Sequence, residues 1–522
     1  MTQAPTAMEV TQDQMKKQPF KWSTILFTAG AAWGAASYGY SASIIGTTLG
    51  QPSFLNYMGL DTNPNASALI GAMNAMFYVG GIFGTISSGW LSDRYGRKAV
   101  IMGAAALIFV ANALSAGSVN IGMFIVFRTL AGAGSFAEVT IVPLWINEIA
   151  PPRVRGVLAA INGVFVDVGY VSASYVGVGF YFAEQNPLGR AIWRGPLAIG
   201  CVPCILCILC TWFVPESPRY FLLKDQADKA WEVVKSLHSR DDDPDHAFAS
   251  AEFYQMRRQL EFERTLNVSY MEFFRRPSYR KRALMSCGLT FCCIASGSLV
   301  INNYGTILYK GLGFGTTQTL LFQAGWLGTA FGTSLIGLFI VDRLPRPVFM
   351  GLGFLGCGIT MTIQTALTAN FIGSTNRTAL AGTVAMLFIW VACYSIFLEG
   401  PSFFYSGELY PTHLRAKGMT LGMVSLCISS IIWLQSAPTA FKTIGWKFYL
   451  FFIIITFLAA GTILWKFPDT RNKPLEEIAK LFGDDDLVMI YQNDIIIDPQ
   501  NQAVVVDEKN RSSTHVENSP VA

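Results

Sequence analysis

Glu148-Ile-Ala-Pro151-Pro-Arg-Val-Arg155 returns 260 residues later as Glu408-Leu-Tyr-Pro411-Thr-His-Leu-Arg415, with the acid, the proline and the last arginine at the same spacing. A second pair, Asp93-Arg94-Tyr-Gly96-Arg97 and Asp342-Arg343-Leu-Pro345-Arg346, recurs at nearly the same offset and precedes the first pair in each half. Both motifs sit between long apolar stretches. The chain therefore reads as a duplication of one unit.

Of the 522 residues, 52% are hydrophobic, 14% are charged and 48 are glycine, a composition that fits a polytopic membrane protein rather than a soluble enzyme. The net charge of +4 decides nothing by itself. A bilayer core needs about 20 apolar residues per helix. Such runs begin near Thr24, Ser67, Ala99, Asn120, Gly156 and Trp193, then near Ala283, Thr319, Pro347, Ala379, Ala416 and Gly445. Lipid offers no partner for a free backbone group, so these spans are helices. The expected fold is an all-α membrane protein with twelve transmembrane helices in two pseudo-symmetric six-helix bundles. Its divisions are a cytoplasmic N-terminal segment (1–23), a first bundle (24–214), a cytoplasmic linker with amphipathic helices (215–282), a second bundle (283–467) and a cytoplasmic, mostly disordered tail (468–522). Inverted or duplicated halves of this kind are the trace of a secondary transporter.

The first twenty residues lack the apolar core and small-residue cleavage site of a removable signal, so both termini are expected in the cytoplasm. That orientation places Arg94, Arg97, Lys98, Arg153, Arg155, Arg343, Arg346, Arg415 and Lys417 in inner loops and leaves fewer basic residues outside. The glycosylation sequons at Asn65 and Asn376 then fall in outer loops. Cys201, Cys204, Cys207 and Cys210 follow one another at steps of three on an apolar helix. Such steps drift by about 60° each, so the thiols cannot converge on one metal ion and read as packing residues. No histidine lies mid-membrane, no phosphate loop is present, and no nucleophile, base or metal constellation stands out. The reading is of no enzyme, no cofactor and no nucleic acid. The partners expected are a small-molecule solute, protons and the lipid bilayer, with the chain a monomer.

Gly89-Trp-Leu-Ser-Asp93-Arg94-Tyr-Gly96-Arg97-Lys98, Arg128-Thr-Leu-Ala-Gly132-Ala-Gly134, Glu148 to Gly156, Pro215-Glu216-Ser217-Pro218-Arg219, Glu408 to Gly418 and Phe467-Pro468-Asp469-Thr470 occur in that order. Together they resemble the sugar-porter family of the major facilitator superfamily, from about Tyr38 to Phe482 and with the flavour of fungal members. The resemblance implies a cavity between two bundles that rock about a midplane site. It also implies inner-gate charge networks at Asp93, Arg94, Arg97, Glu148 and Arg155 and at Asp342, Arg346, Glu408 and Arg415. Pro345 stands where that family has glycine, so the second latch is expected to be weaker.

The cavity departs from the family. The aspartate that follows Gly-Tyr in proton-coupled members is replaced by Ser41 after Tyr40, and the sugar-binding glutamine of the fifth helix corresponds to Gly163. The seventh-helix amides align with Cys293, Ile294 and Leu299, the eleventh-helix asparagine with Ser430, and the tenth-helix tryptophan with Phe404. Losing amides that pair with hydroxyls costs sugar selectivity. Other polar groups lie nearby. Asp167 is one helical turn beyond Gly163, Asn303 one turn beyond Leu299, and Glu138 and Glu399 are ionisable groups inside helices, which are functional candidates by default. Arg128, Asn162, Tyr304 and Trp433 complete the candidate pathway. The expected function is secondary active or facilitative transport of a small polar organic solute, with sugar or polyol favoured. The alternatives are a proton-coupled transporter of an organic acid or secondary metabolite, and a nutrient sensor that binds without transport. The membrane expected is the plasma membrane.

Overall fold

A computed structural model describes residues 22–150, 155–183, 189–238, 249–250, 253–254, 256–258, 260–261, 269–341, 343–471, 481–483, 495–497 and 504–506. The first half runs through α1 (Trp22–Leu49), a short α2 (Pro52–Tyr57), α3 (Ala66–Tyr95), α4 (Arg97–Ala116), α5 (Ile121–Ile149), α6 (Arg155–Ala183) and a sixth span in two pieces, α7 (Ala191–Ile199) and α8 (Cys201–Phe213). The linker supplies α9 (Pro218–Leu223), α10 (Ala227–His238) and α11 (Glu272–Arg275). In the second half α12 (Pro277–Ala295) and α13 (Ser298–Gly311) form the seventh span, followed by α14 (Thr316–Ile340) and α15 (Arg346–Phe371). The tenth span joins α16 (Arg377–Tyr394), a π turn (Ser395–Glu399) and α17 (Gly400–Glu408). Then come α18 (Thr412–Thr443) and, after a 3-10 turn, α19 (Tyr449–Lys466).

Among the described residues, 10 helical stretches are long and apolar enough to cross a membrane. The spans formed by α1 and α14 make up the twelve; both are rich in small and hydroxyl residues because both run along the contact between the bundles. The bundles meet along α3 with α18 and α6 with α14, two seams that exchange when the halves are swapped, and α1 meets α13 beside them. Hydrogen bonds tie these seams in the half of the protein away from the duplicated motifs. They include Thr306 to Gly46 O (2.9 Å), Asn74 to Tyr304 (3.1 Å) and Gln435 to Ala68 O (3.3 Å).

Within the bundles the helices approach as closely as backbone allows. A Cβ on Gly132 would stand 1.8 Å from Phe77 O, and one on Gly80 would stand 1.9 Å from Thr129 O, so α3 and α5 touch through their main chains. Small residues permit such contact, and close packing drives helix association where lipid is as apolar as the side chains. Local signals set the ends: Asn120 caps α5 through Met123 N (2.8 Å) and Asn376 caps α16 through Ala379 N (3.2 Å). Large exposed aromatics, Trp22, Trp90, Trp212, Phe213, Phe339 and Trp465, collect at the motif-bearing end. That is the ring expected where helices leave lipid.

In the linker, α10 buries Leu237 and packs Val233 against the cluster that contains Trp145 and Val214. It therefore braces the motif end of the first bundle. Leu222, Ala230 and Leu260 form a small cluster of their own. In the tail, which sequence reading left mostly without structure, Ile495–Ile497 pairs antiparallel with Val504–Val506. Two runs of β-branched residues explain why these segments pair.

Candidate functional site

At the motif-bearing end, Gly96 joins α3 to α4 with φ 101°, a conformation that favours glycine. A Cβ there would also lie 2.3 Å from Glu216 Oε2. The space lets Glu216 accept the amides of Arg97 (3.0 Å) and Lys98 (3.2 Å), an anion at a helix N-terminus. Burial pushes the Glu216 carboxyl above its ordinary range, and the amide hydrogen bonds oppose that push. The Arg97 guanidinium forks onto Glu148 (3.0 and 3.1 Å), reaches Asp93 (3.2 Å) and donates to Ser92 O (3.1 Å). Ser217 Oγ donates to Glu148 Oε2 at 2.5 Å.

The second half repeats this clasp. Asp469 accepts the amide of Arg346 (3.0 Å), Arg346 pairs with Glu408 (3.7 Å) and donates to Val341 O (3.1 Å), and Thr470 Oγ1 donates to Glu408 Oε2 (2.6 Å). Glu216-Ser217 and Asp469-Thr470, the first residues after each bundle, thus play one part. Neither pair was among the residues singled out as gates, although both lie in quoted motifs. The second clasp is looser: its ion pair is longer, and its side chains are 13% and 29% exposed against 4% and 5% in the first. Arg94 instead turns outward over the rings of Trp90 and Tyr95. Arg415 is half-buried in the first turn of α18. Asp342 and the side chains of Arg155 and Phe404 lie outside the described residues.

Between the bundles a polar and aromatic cluster gathers several of the sequence-predicted residues. Asp167 on α6, 5% exposed, accepts a 2.5 Å hydrogen bond from Ser334 Oγ on α14, across the seam. Glu399, at the end of the π turn, accepts from Ser395 (2.7 Å) and lies within electrostatic reach of Asp167, Tyr38, Tyr170 and Tyr394. Tyr170 donates to Tyr38 (3.4 Å), and Tyr38 and Tyr78 both pack edge-on against Phe136. Asn303 sits beside the Tyr78 hydroxyl, and Arg128 lies within electrostatic reach of it. The buried Arg128 guanidinium donates to Ser41 O at 2.5 Å and covers the Phe77 ring at 4.4 Å. Ser41 stands where the resemblance puts an aspartate, so a carbonyl takes the place of a carboxylate. Gly163, one turn from Asp167 toward the motif end, is exposed with no neighbour within 4 Å of a Cβ position. Asn162 is half-buried next to it.

Other predicted residues lie elsewhere. Glu138 is inside the first bundle, where Gly34 leaves room for its carboxyl and Cys207 approaches it at 4.0 Å. Tyr40 donates to Pro196 O (2.6 Å) in the same bundle; Tyr38, about 200° around the helix, is the tyrosine that faces the seam. Ser430 bonds back to Leu426 O, and Trp433 packs on Phe448 and Phe452. Tyr304 donates to Leu434 O (2.8 Å) as part of the seal away from the motifs. Sequence reasoning missed Tyr38, Tyr78, Tyr170, Ser334 and Tyr394; tyrosines in the middle of spans were the available signal.

A clasp at the end of each half, two exchanged seams and polar groups between the bundles form one arrangement, and the family described as "Sugar (and other) transporter" matches residues 27–482. This chain belongs to that family. It is a multi-pass membrane transporter, and the family is one of transporters rather than enzymes. Among the relatives of this sugar (and other) transporter is the MFS-type transporter criB of Aspergillus cristatus, 29% identical over 465 residues that span 88% of this chain and 94% of the relative. A protein of Aspergillus clavatus that bears the name "Probable quinate permease" is 24% identical over 483 residues, 89% of each chain. The solved structure of the proton:xylose symporter XylE bound to 6-bromo-6-deoxy-D-glucose superposes with a TM-score of 0.75 at 21% identity, covering 89% of this chain and 100% of that one. This last likeness shows a common fold.

Proposed function

We propose that this transporter moves a small polar organic solute, a sugar or polyol in the favoured reading, by rocking its bundles about the cluster of Asp167, Asn303, Glu399 and the surrounding tyrosines. The observation that carries this is the convergence of these groups at the seam, beside two interrupted spans, at Gly297 and at the π turn. Broken helices flanking a midplane site are a recurrent feature of secondary transporters. Tyrosine hydroxyls and Asn303 offer donors and acceptors to hydroxyl groups, while the rings offer an apolar floor. Coupling to protons falls to Asp167, since Ser41 cannot titrate and Glu138 is enclosed in the first bundle. The clasps at Asp93, Arg97 and Glu148 and at Arg346 and Glu408 close the motif end, which faces the cytoplasm. Asn65 and Asn376, exposed at the opposite end, carry the glycans. The protein acts as a monomer in the plasma membrane.

The test is uptake into vesicles that contain the purified full chain, screened with labelled sugars, polyols and carboxylates at about pH 6 and about pH 8. Saturable uptake of one class is the expected result, with its pH dependence flattened by Asp167→Asn and retained in Glu138→Gln. Binding without flux would replace transport with sensing. A second reading, an organic acid as cargo, is favoured by Arg128. This buried guanidinium bonds to the Ser41 carbonyl, and its Nε has no hydrogen-bond partner among the described residues. In that case Arg128→Lys abolishes uptake of the acid, because a point charge cannot replace a planar fork.

A further inference from the structure

The seam between α6 and α14 is an antiparallel ladder of side-chain contacts. Furthest from the motifs, the hydroxyls of Tyr181 and Thr317 lie 3.5 Å apart. One turn on, Val178 packs with Leu320 and Ala324, and at the next step Gly328 leaves room for Tyr175, whose hydroxyl would lie 3.3 Å from a Cβ there. Asp167 and Ser334 follow at 2.5 Å, with Asp167 buried. Among the described residues theirs is the hydrogen bond of this seam nearest the motif end, and one turn beyond it Gly163 is exposed. The ladder therefore ends, beside that opening, on a group that can carry a proton.

The elements packed against α6 bring ionisable groups but no counter-charge. Between Thr316 and Ile340, α14 carries none. On α1, Tyr38 accepts from Tyr170 of α6 (3.4 Å), and in the tenth span Glu399 is an acid held by Ser395 (2.7 Å). On α5, Arg128 is turned to Ser41 O and the Phe77 ring, while Glu138 lies against Gly34 and Cys207. On α7, Arg194 is turned to Tyr57 and Ser118 O at the far end. Among the described residues no cation pairs with Asp167, and Ser334 is its hydrogen-bond donor.

That serine suits either state of the acid, though not equally. Ser334 Oγ lies 2.5 Å from Asp167 and 3.0 Å from Phe331 O, and a hydroxyl has one proton to give. With Asp167 ionised, Ser334 donates to it. With Asp167 protonated, the acid donates to Ser334 Oγ and the serine proton turns to Phe331 O. The bond survives both ways, but a hydrogen bond to a charged oxygen is the stronger one. Ser334 therefore favours the ionised acid, and by reciprocity the ionised acid favours the contact of α6 with α14.

We propose that Ser334 is the positioning residue of the proton site: its hydrogen bond across the seam sets the pH at which Asp167 exchanges its proton, and the arrival of that proton loosens the seam. This rests on the reading of Asp167 as the coupling residue and deepens it. The carboxyl and the group that tunes it stand on different bundles, so proton affinity depends on how the bundles sit.

The experiment is an infrared pH titration of the full chain in lipid vesicles, made with isotope-labelled aspartate. The Asp167 band is assigned by its absence from Asp167→Glu, which keeps an acid at that position but carries no label. Ser334→Ala should raise the pH midpoint of that band by about one unit, roughly a ten-fold tighter proton. Ser334→Thr, which keeps the hydroxyl, should return it to the wild-type value, and the pH profile of solute uptake should move in parallel. A serine that merely packs would lower yield or rate and leave the midpoint in place, and that outcome overturns the proposal. So does a midpoint moved equally by Ser334→Thr and Ser334→Ala. Should Ser334→Ala fail to fold, Ser334→Cys, whose thiol is a weaker donor, must still move the midpoint upward. The titration needs no solute, so an empty solute screen would remove the transport reading and leave this result standing. Uptake that depends on pH, with a midpoint unmoved in Ser334→Ala, would remove the role of Ser334 alone.

Discussion

Gly132→Leu is expected to leave no monodisperse protein after extraction from the membrane. A Cβ at Gly132 would already lie 1.8 Å from Phe77 O, and the reciprocal contact of Gly80 with Thr129 O is as tight, so neither helix has room to yield. Ordinary overpacking by a methylene costs about 1–3 kcal/mol because side chains adjust. Here the obstacle is main chain. To admit leucine, α3 and α5 must separate along their whole crossing, which also lifts Arg128 from the Phe77 ring and breaks the packing of Tyr78 on Phe136. Gly163→Gln is the matched control, since nothing lies within 4 Å of a Cβ there. It should give wild-type yield and unfolding temperature, and it places an amide where sugar porters have one. Recovery of a monodisperse Gly132→Leu protein would show that the two helices do not cross as closely as described.

Glu148→Ala should slow solute exchange across vesicles by roughly a hundred-fold, and Glu408→Ala by less than about ten-fold. Removing Glu148 takes the forked partner from Arg97, 4% exposed, and leaves it the exposed Asp93 as its ion-pair partner among the described residues, with Glu216 as a further counter-charge. Breaking a buried pair in this way costs about 3–5 kcal/mol. That cost falls on the state in which the motif end is closed, so the weight of that state relative to the open one drops by at least about two orders of magnitude and the cycle stalls. The second pair is longer and partly wet, where an ion pair contributes about 1 kcal/mol or less. Ser217→Ala should lie between them, because it removes a hydrogen bond and leaves the ion pair in place. Equal losses in Glu148→Ala and Glu408→Ala would refute the unequal clasps.

Fold and the paired charges of the motif end were legible in the sequence because each depends on local, repeated chemistry. Apolar runs of fixed length specify the spans, and Asp93 with Arg97 recurs as Asp342 with Arg346, and Glu148 as Glu408, in places where charge is costly unless paired. Pro345 in place of a glycine raised the expectation of a weaker second latch, and the Arg346–Glu408 pair is the longer of the two. The cluster between the bundles was harder to read. Whether a mid-helix residue faces the seam or its own bundle turns on about 100° of rotation per position. Two residues therefore separate Tyr38 at the seam from Tyr40 inside the first bundle. Glu138 and Asp167 look alike as lone acids in apolar helices; only packing distinguishes the one enclosed by Gly34 and Cys207 from the one that meets Ser334. The π turn has no pattern of its own beyond Gly400-Pro401.

Each half is closed by the residues that immediately follow it: Glu216 and Ser217 return to Arg97 and Glu148, and Asp469 and Thr470 return to Arg346 and Glu408. The described clasp contacts stay within one half. The two halves are thus self-sufficient parts, each carrying its own fastener, and covalent continuity between them is not what holds either together. Separate polypeptides divided after α10 should reassemble when made in the same cell. A division ahead of α9, before Glu216, should fail, because the first part would then lack the piece that secures it.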